Sequence, residues 1–251
     1  MKRLPWSVTC LLGEVERARR LSDQTIRDAI GSGHRATLVH ARWAETILVG
    51  YRHDAGATLR AAETLVRLGR EHRMDLHAAV GEVYASWAHG RLTDPECGSR
   101  SLRNALGAYV AQGNRLFVPY FLGLRAELEA ETTKRGGRPD ADRRGLAISQ
   151  ETGERISDSF LHRLRGEILL VRDPANLAPA EQAFQTAVAI ARHQGARSYE
   201  LLGALALAKL YQSTGRPAEA RAVLAPALEG FSPTPEMPEI GEALALMERL
   251  A

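Results

Sequence analysis

Near its C-terminus the chain reads Leu207-Ala208-Lys209-Leu210-Tyr211-Gln212-Ser213-Thr214-Gly215-Arg216-Pro217-Ala218-Glu219-Ala220-Arg221-Ala222-Val223-Leu224-Ala225-Pro226-Ala227. A small residue, Ala208, is followed one turn later by an aromatic one, Tyr211. A Gly-Arg-Pro turn comes next, and then Ala220-x-x-x-Leu224-x-x-Ala227. Glycine ends one helix and proline opens the next. Small residues at helical spacing on both sides let two helices approach closely, and the larger ones fill the groove beside them. The stretch therefore predicts an antiparallel helical hairpin.

The second-helix signature recurs upstream. It reads Ala180-x-x-x-Phe184-x-x-Ala187, then Gly98-x-x-x-Leu102-x-x-Ala105 and Ala57-x-x-x-Ala61-x-x-Thr64, with degenerate copies from Ala141 and Ala18. The starts 18, 57, 98, 141, 180 and 220 are 39, 41, 43, 39 and 40 residues apart. Gly137-Arg138-Pro139 repeats the Gly215-Arg216-Pro217 turn two units earlier. A small residue, an aromatic, a turn and Ala-x-x-x-Phe-x-x-Ala form the tetratricopeptide pattern. The reading is an all-α superhelix, one solenoid over 1–251, with hairpins at 35–72, 75–112, 116–152, 155–194 and 197–229. A lone helix near 14–30 precedes them. A capping helix at 237–250 follows, with Ile240, Leu244, Met247 and Leu250 on one stripe. First helices are expected at 35–50, 75–90, 116–132, 155–171 and 197–213, second helices at 55–72, 95–112, 140–152, 178–194 and 217–229.

Composition agrees with a packed chain. Of 251 residues, 45% are apolar and 25% charged, which excludes wholesale disorder. Cys10 and Cys97 cannot build a disulfide framework or a four-cysteine metal site. No apolar run reaches the roughly 18 residues of a membrane span. Met1-Lys2-Arg3 before Leu4 to Gly13 has the outline of a signal peptide but lacks a small-x-small cleavage site, so a cytoplasmic location is expected. Arginine supplies 30 of 33 basic residues. They are scattered, and the net charge is +3, so no basic block tracks phosphates and nucleic acid is not the expected partner.

Leu161-His162-Arg163-Leu164-Arg165-Gly166-Glu167-Ile168-Leu169-Leu170, Gly195-Ala196-Arg197-Ser198-Tyr199-Glu200-Leu201 and Leu207-Ala208-Lys209-Leu210-Tyr211 give the chain a resemblance to a known family. It resembles the C-terminal tetratricopeptide region of bacterial signalling regulators that carry an adenylate/guanylate cyclase or DNA-binding domain and an ATPase module. The likeness is strongest over 154–232. The resemblance implies a regulatory helical array; cyclase and ATPase motifs are absent from these residues, so neither activity carries over.

Other motifs have plain structural readings. Gly31-Ser32-Gly33-His34-Arg35-Ala36 fits a dinucleotide fingerprint by letters, but a helix precedes it where the fingerprint needs a strand. Glu71, His72, Asp75 and His77 cluster at a helix junction, and histidines five apart do not share a helical face as metal ligands do. The eight histidines show no triad spacing. Trp43, Trp87, Phe184 and Tyr211 are expected in the core. No catalytic residue, metal or cofactor is predicted.

The inner wall is the candidate site. In stacked hairpins the first helices line a concave surface where partners bind. Aligning Ala44, Ala85, Ala126, Gly166 and Ala208 as close-packing positions points Glu45, Ser86, Glu127, Glu167 and Lys209 into the groove. Neighbouring turns add Glu82, His89, Tyr120, Glu131, Phe160, Arg163 and Gln212. The expectation is an acidic groove with an aromatic floor and a more basic C-terminal end, suited to a peptide with an Arg or Lys anchor. A bland alternative pairs Glu167 with Arg163 and leaves Glu127 in water. The expected function is non-catalytic recognition of a protein or peptide. Alternatives are a small-molecule pocket near Tyr120 and Phe160, and self-association through Leu4-Pro5-Trp6, Val8, Leu11 and Leu12.

Overall fold

A computed structural model describes residues 12–133, 141–235 and 237–250. The second Gly-Arg-Pro turn at 137–139, Cys10 and the apolar segment 4–11 lie outside the described residues. Among those described, the chain is all-α, with no strand and one isolated bridge between Thr234 and Met237. The helices are α1 (Val15–Ser32), α2 (Arg35–Tyr51), α3 (Ala55–Glu71), α4 (Asp75–Leu92), α5 (Pro95–Ala111), α6 (Val118–Thr133), α7 (Ala141–Thr152), α8 (Asp158–Arg172), α9 (Ala178–Gln194), α10 (Arg197–Ser213), α11 (Pro217–Leu228) and α12 (Glu239–Arg249).

Local chemistry sets these boundaries. Asp54 and Asp94 accept hydrogen bonds from the first free backbone N–H groups of α3 and α5, and Pro95 opens the latter. Gly195 ends α9 in a left-handed conformation. The two expected helices at 116–132 and 155–171 start later, at Val118 and Asp158. The reason is a clasp between successive turns. Both Glu154 carboxylate oxygens accept the Phe117 N–H, at 3.0 and 3.1 Å, and Phe117 is held at φ +63°.

Each helix packs on the next, and the even-numbered helices also touch one another in sequence: α2 with α4, then α6, α8, α10 and α12. The odd-numbered helices make no mutual contacts among the described residues. The even helices are therefore the inner layer and the odd ones the outer. Two close approaches show why small residues recur. A Cβ on Gly98 of α5 would lie 2.3 Å from the Gly90 Cα of α4. One on Gly166 of α8 would lie 2.5 Å from the Phe184 ring of α9.

The array does not stay open as a curved rod; its ends meet. Thr234 Oγ1 donates to Glu16 Oε1 at 3.1 Å, 218 positions away in sequence. Phe231 lies against Gly13, with the Arg197 guanidinium 5.5 Å from its ring centre. Val15, Ala18 and Leu48 share one apolar cluster with residues of α9 to α12. What draws the ends together is the filling of the centre. Tyr51 of α2 meets Tyr120 of α6 edge-on at 4.9 Å, skipping α4. Tyr84, Phe160 and Tyr199 from α4, α8 and α10 complete the cluster. Large aromatic side chains bury most when they converge.

Candidate functional site

Closing the ring and filling its centre leave an inner concavity among the described residues, a bowl of about 730 Å³. It lies over the C-terminal halves of α6, α8 and α10; His53, in the turn after α2, and the start of α12 also line it. Leu170, Val171, Leu202, Leu205 and Ala206 give it an apolar lining. Glu127, Glu131, Glu167, Glu239 and Glu242 supply five carboxylates against the permanent cations Arg91, Arg163 and Lys209.

The deep end is organised around Glu127, whose side chain is only 12% exposed. Its Oε2 accepts the Trp87 Nε1–H at 3.0 Å. Its Oε1 lies 3.3 Å from His53 Nδ1 and 3.9 Å from the Arg163 guanidinium. Burial would raise the Glu127 carboxyl, but His53, Arg163 and Arg91 outweigh it and hold the group below its ordinary value. Arg163 also binds Glu167 and sits 5.6 Å from the Phe160 ring centre. His53 stands at φ +54° with its ring edge-on to Trp87 and against Phe160. One carboxylate thus ties together α4, α6, α8 and the turn after α2.

Further out, Arg91 binds Glu131, and Lys209 binds Glu242 at 2.8 Å. The C-terminal end is accordingly not basic: Lys209 is matched by Glu242, and Glu239 adds a further carboxylate.

The twelve expected wall residues are divided by the structure. Glu127, Glu131, Arg163, Glu167 and Lys209 line the bowl. Tyr120 and Phe160 are not an accessible floor; they are buried beneath it in the aromatic centre. Glu82, Ser86 and His89 line a different concavity, an outer trough of about 990 Å³ over α4 between α3 and α5. The cause is a slip in register on α4, of one residue from Ser86 to Trp87 and of two from His89 to Arg91. Trp87 and Arg91, not Ser86 and His89, reach Glu127 and Glu131, each across 40 positions. Glu45 pairs with Arg42 on its own helix, and Gln212 is exposed; neither lines the bowl. The Glu167–Arg163 pair of the bland alternative is present, but Glu127 is not in water.

The residues that spacing did not single out are His53, Trp87 and Arg91. The forty-residue offsets 87 to 127 and 91 to 131 were the available signal for two of them. Among the described residues no group of three or more His, Cys, Asp or Glu side chains is placed to hold a metal ion. No described helix is long and apolar enough to cross a membrane.

A scan against models of known protein families finds no match for the chain, and a search of the curated proteins finds none.

Proposed function

We propose that the chain is a non-catalytic, tetratricopeptide-like recognition module that binds a protein or peptide in the inner bowl and serves a bacterial signalling or transcription-regulating system. The observation that carries the recognition reading is the bowl itself. It combines an apolar lining, Leu170, Leu202, Leu205 and Ala206, with an excess of carboxylates, so it suits a partner with apolar side chains and an Arg or Lys anchor. The signalling context rests on the resemblance of 154–232 to the helical regions of cyclase-linked regulators.

A panel of short random peptides tests the reading. Peptides rich in Arg, Lys and apolar residues are expected to be enriched on the immobilised chain. Their binding should fall at least about ten-fold in Ala206→Arg, which blocks the bowl, and stay unchanged in Ser101→Arg, which blocks the outer trough. The opposite pattern would move the site to the outer face.

A second reading is a small-molecule sensor. The closed floor and a volume within the roughly 300–1,000 Å³ of ordinary ligand pockets favour it. Enrichment of a small compound, with no peptide enriched, would decide for that reading.

A further inference from the structure

We infer that the bowl receives its ligand end-on, taking the N-terminal ammonium of a peptide rather than a segment running through it. This rests on the peptide-binding reading above. The geometry behind it is closure in two directions. In an open array a peptide enters at one end of the groove and leaves at the other. Here the ends are joined by Thr234 with Glu16 and by Phe231 with Gly13. The floor is sealed by Trp87, Tyr120 and Phe160, all buried, with the His53 ring packed on the first and third. A segment internal to a chain would have to enter and return by one mouth, two strands wide. A chain end needs the width of one.

Charge selects which end. A C-terminal carboxylate would meet five carboxylates with only three permanent cations, each of which already faces a carboxylate: Arg91 with Glu131, Arg163 with Glu167, Lys209 with Glu242. A terminal ammonium meets a surplus of negative charge. At the deep end stands Glu127, the least exposed of the ion-paired carboxylates in the bowl; the Trp87 N–H, His53 and Arg163 already face it, and the ammonium adds a further donor to oxygens that each carry a second lone pair. At the rim Glu239 makes no ion pair among the described residues. The terminal ammonium goes toward Glu127, the first apolar side chains go against Leu170, Leu202 and Ala206, and a following basic residue meets Glu239 and Glu242 at the mouth. An ammonium buried against a carboxylate makes charge-assisted bonds that an acetylated amine cannot.

The test uses peptides selected on the full chain, prepared in three forms: free N-terminus, acetylated N-terminus, and the same sequence closed into a loop between two cysteines. Binding is read by anisotropy of a C-terminal label, or of a side-chain label for the loop. The free form is expected to bind at least about ten-fold more tightly than the acetylated one, and the loop is expected not to bind. In Glu127→Gln, which keeps an acceptor for the Trp87 N–H, the preference for the free amine should shrink below about three-fold. Thermal melts confirm that the variant is folded. Equal binding of free, acetylated and looped forms overturns the end-on inference and leaves the peptide reading intact. No binding of any form overturns both. Binding of n-hexylamine as tight as that of the free peptide also overturns it, in favour of a small amine.

Discussion

Taking a carboxylate out of water costs several kcal/mol unless cations and hydrogen bonds offset it. Glu127 gathers the Trp87 N–H, His53 and Arg163 around its two oxygens. Removing it leaves Arg163 short of one partner and the indole N–H without an acceptor. Glu127→Ala should therefore lower unfolding free energy by about 3 kcal/mol, measured by urea denaturation. Its carboxyl lies below the ordinary 4.5 in the folded chain. The unfolded state then binds the proton first, so this contribution is complete above about pH 4.5 and is lost as pH falls through the folded value. Glu127→Gln should flatten that acid limb. Histidines act at higher pH. Burial, and then His40, lowers the His77 imidazole, and burial lowers His162 despite the Asp158 carboxylate. Stability from both is full above about 6.5 and declines below it, as the unfolded chain takes up protons. The urea midpoint should drop between about pH 7.5 and about pH 5.5, and less so in His77→Gln.

Between elements, the glycine closest to a neighbouring backbone among the described residues stands at the crossing of α4 and α5. The atom that a new Cβ on Gly98 would strike is backbone, the Gly90 Cα at 2.3 Å, and it cannot rotate away. Gly98→Ala should destabilise by about 1–3 kcal/mol. Gly107, on the same helix, has nothing within 4 Å of a new Cβ, so Gly107→Ala should stabilise by about 0.5–1 kcal/mol through helix propensity. The two thermal shifts should have opposite signs. This is also the scale at which the sequence was most readable. The Ala180, Phe184 and Ala187 set and the Ala220, Leu224 and Ala227 set are all buried, because their spacing follows directly from helix geometry. Where the pattern was weak, the register slipped. In α3 the buried residues include Thr58, Ala62 and Leu65, one position along from Ala57, Ala61 and Thr64, of which Ala61 alone is also buried. In α4 the slip sent Glu82, Ser86 and His89 to the outer face and hid the role of Trp87 and Arg91. One residue is 100° around a helix, so a small alignment error changes the surface that a side chain serves.

At the scale of the molecule, the closure was not legible. A periodic pattern reports contacts between neighbours, whereas Tyr51 with Tyr120 and Glu16 with Thr234 join units that no local spacing links. Closure has a measurable signature. Phe231→Ala removes the ring between Gly13 and Arg197. Amide exchange in α1 and α12 should then quicken by at least about ten-fold while α6, whose Tyr120, Phe121 and Leu124 are in the aromatic centre, keeps its protection. Equal acceleration everywhere would mean that the ends contribute no independent local stability.

The meeting of the first described helix with the loop before the last also bears on how such a chain can change over evolutionary time. An open stack lengthens or shortens by whole units, since each addition needs only a neighbour to rest on. Here an inserted hairpin would push Glu16 away from Thr234, and a deleted one would leave Tyr51, Tyr84, Tyr120, Phe160 and Tyr199 without a full circle of partners. The copy number is frozen by geometry, and new specificity has to come from substitution on the bowl rather than from duplication.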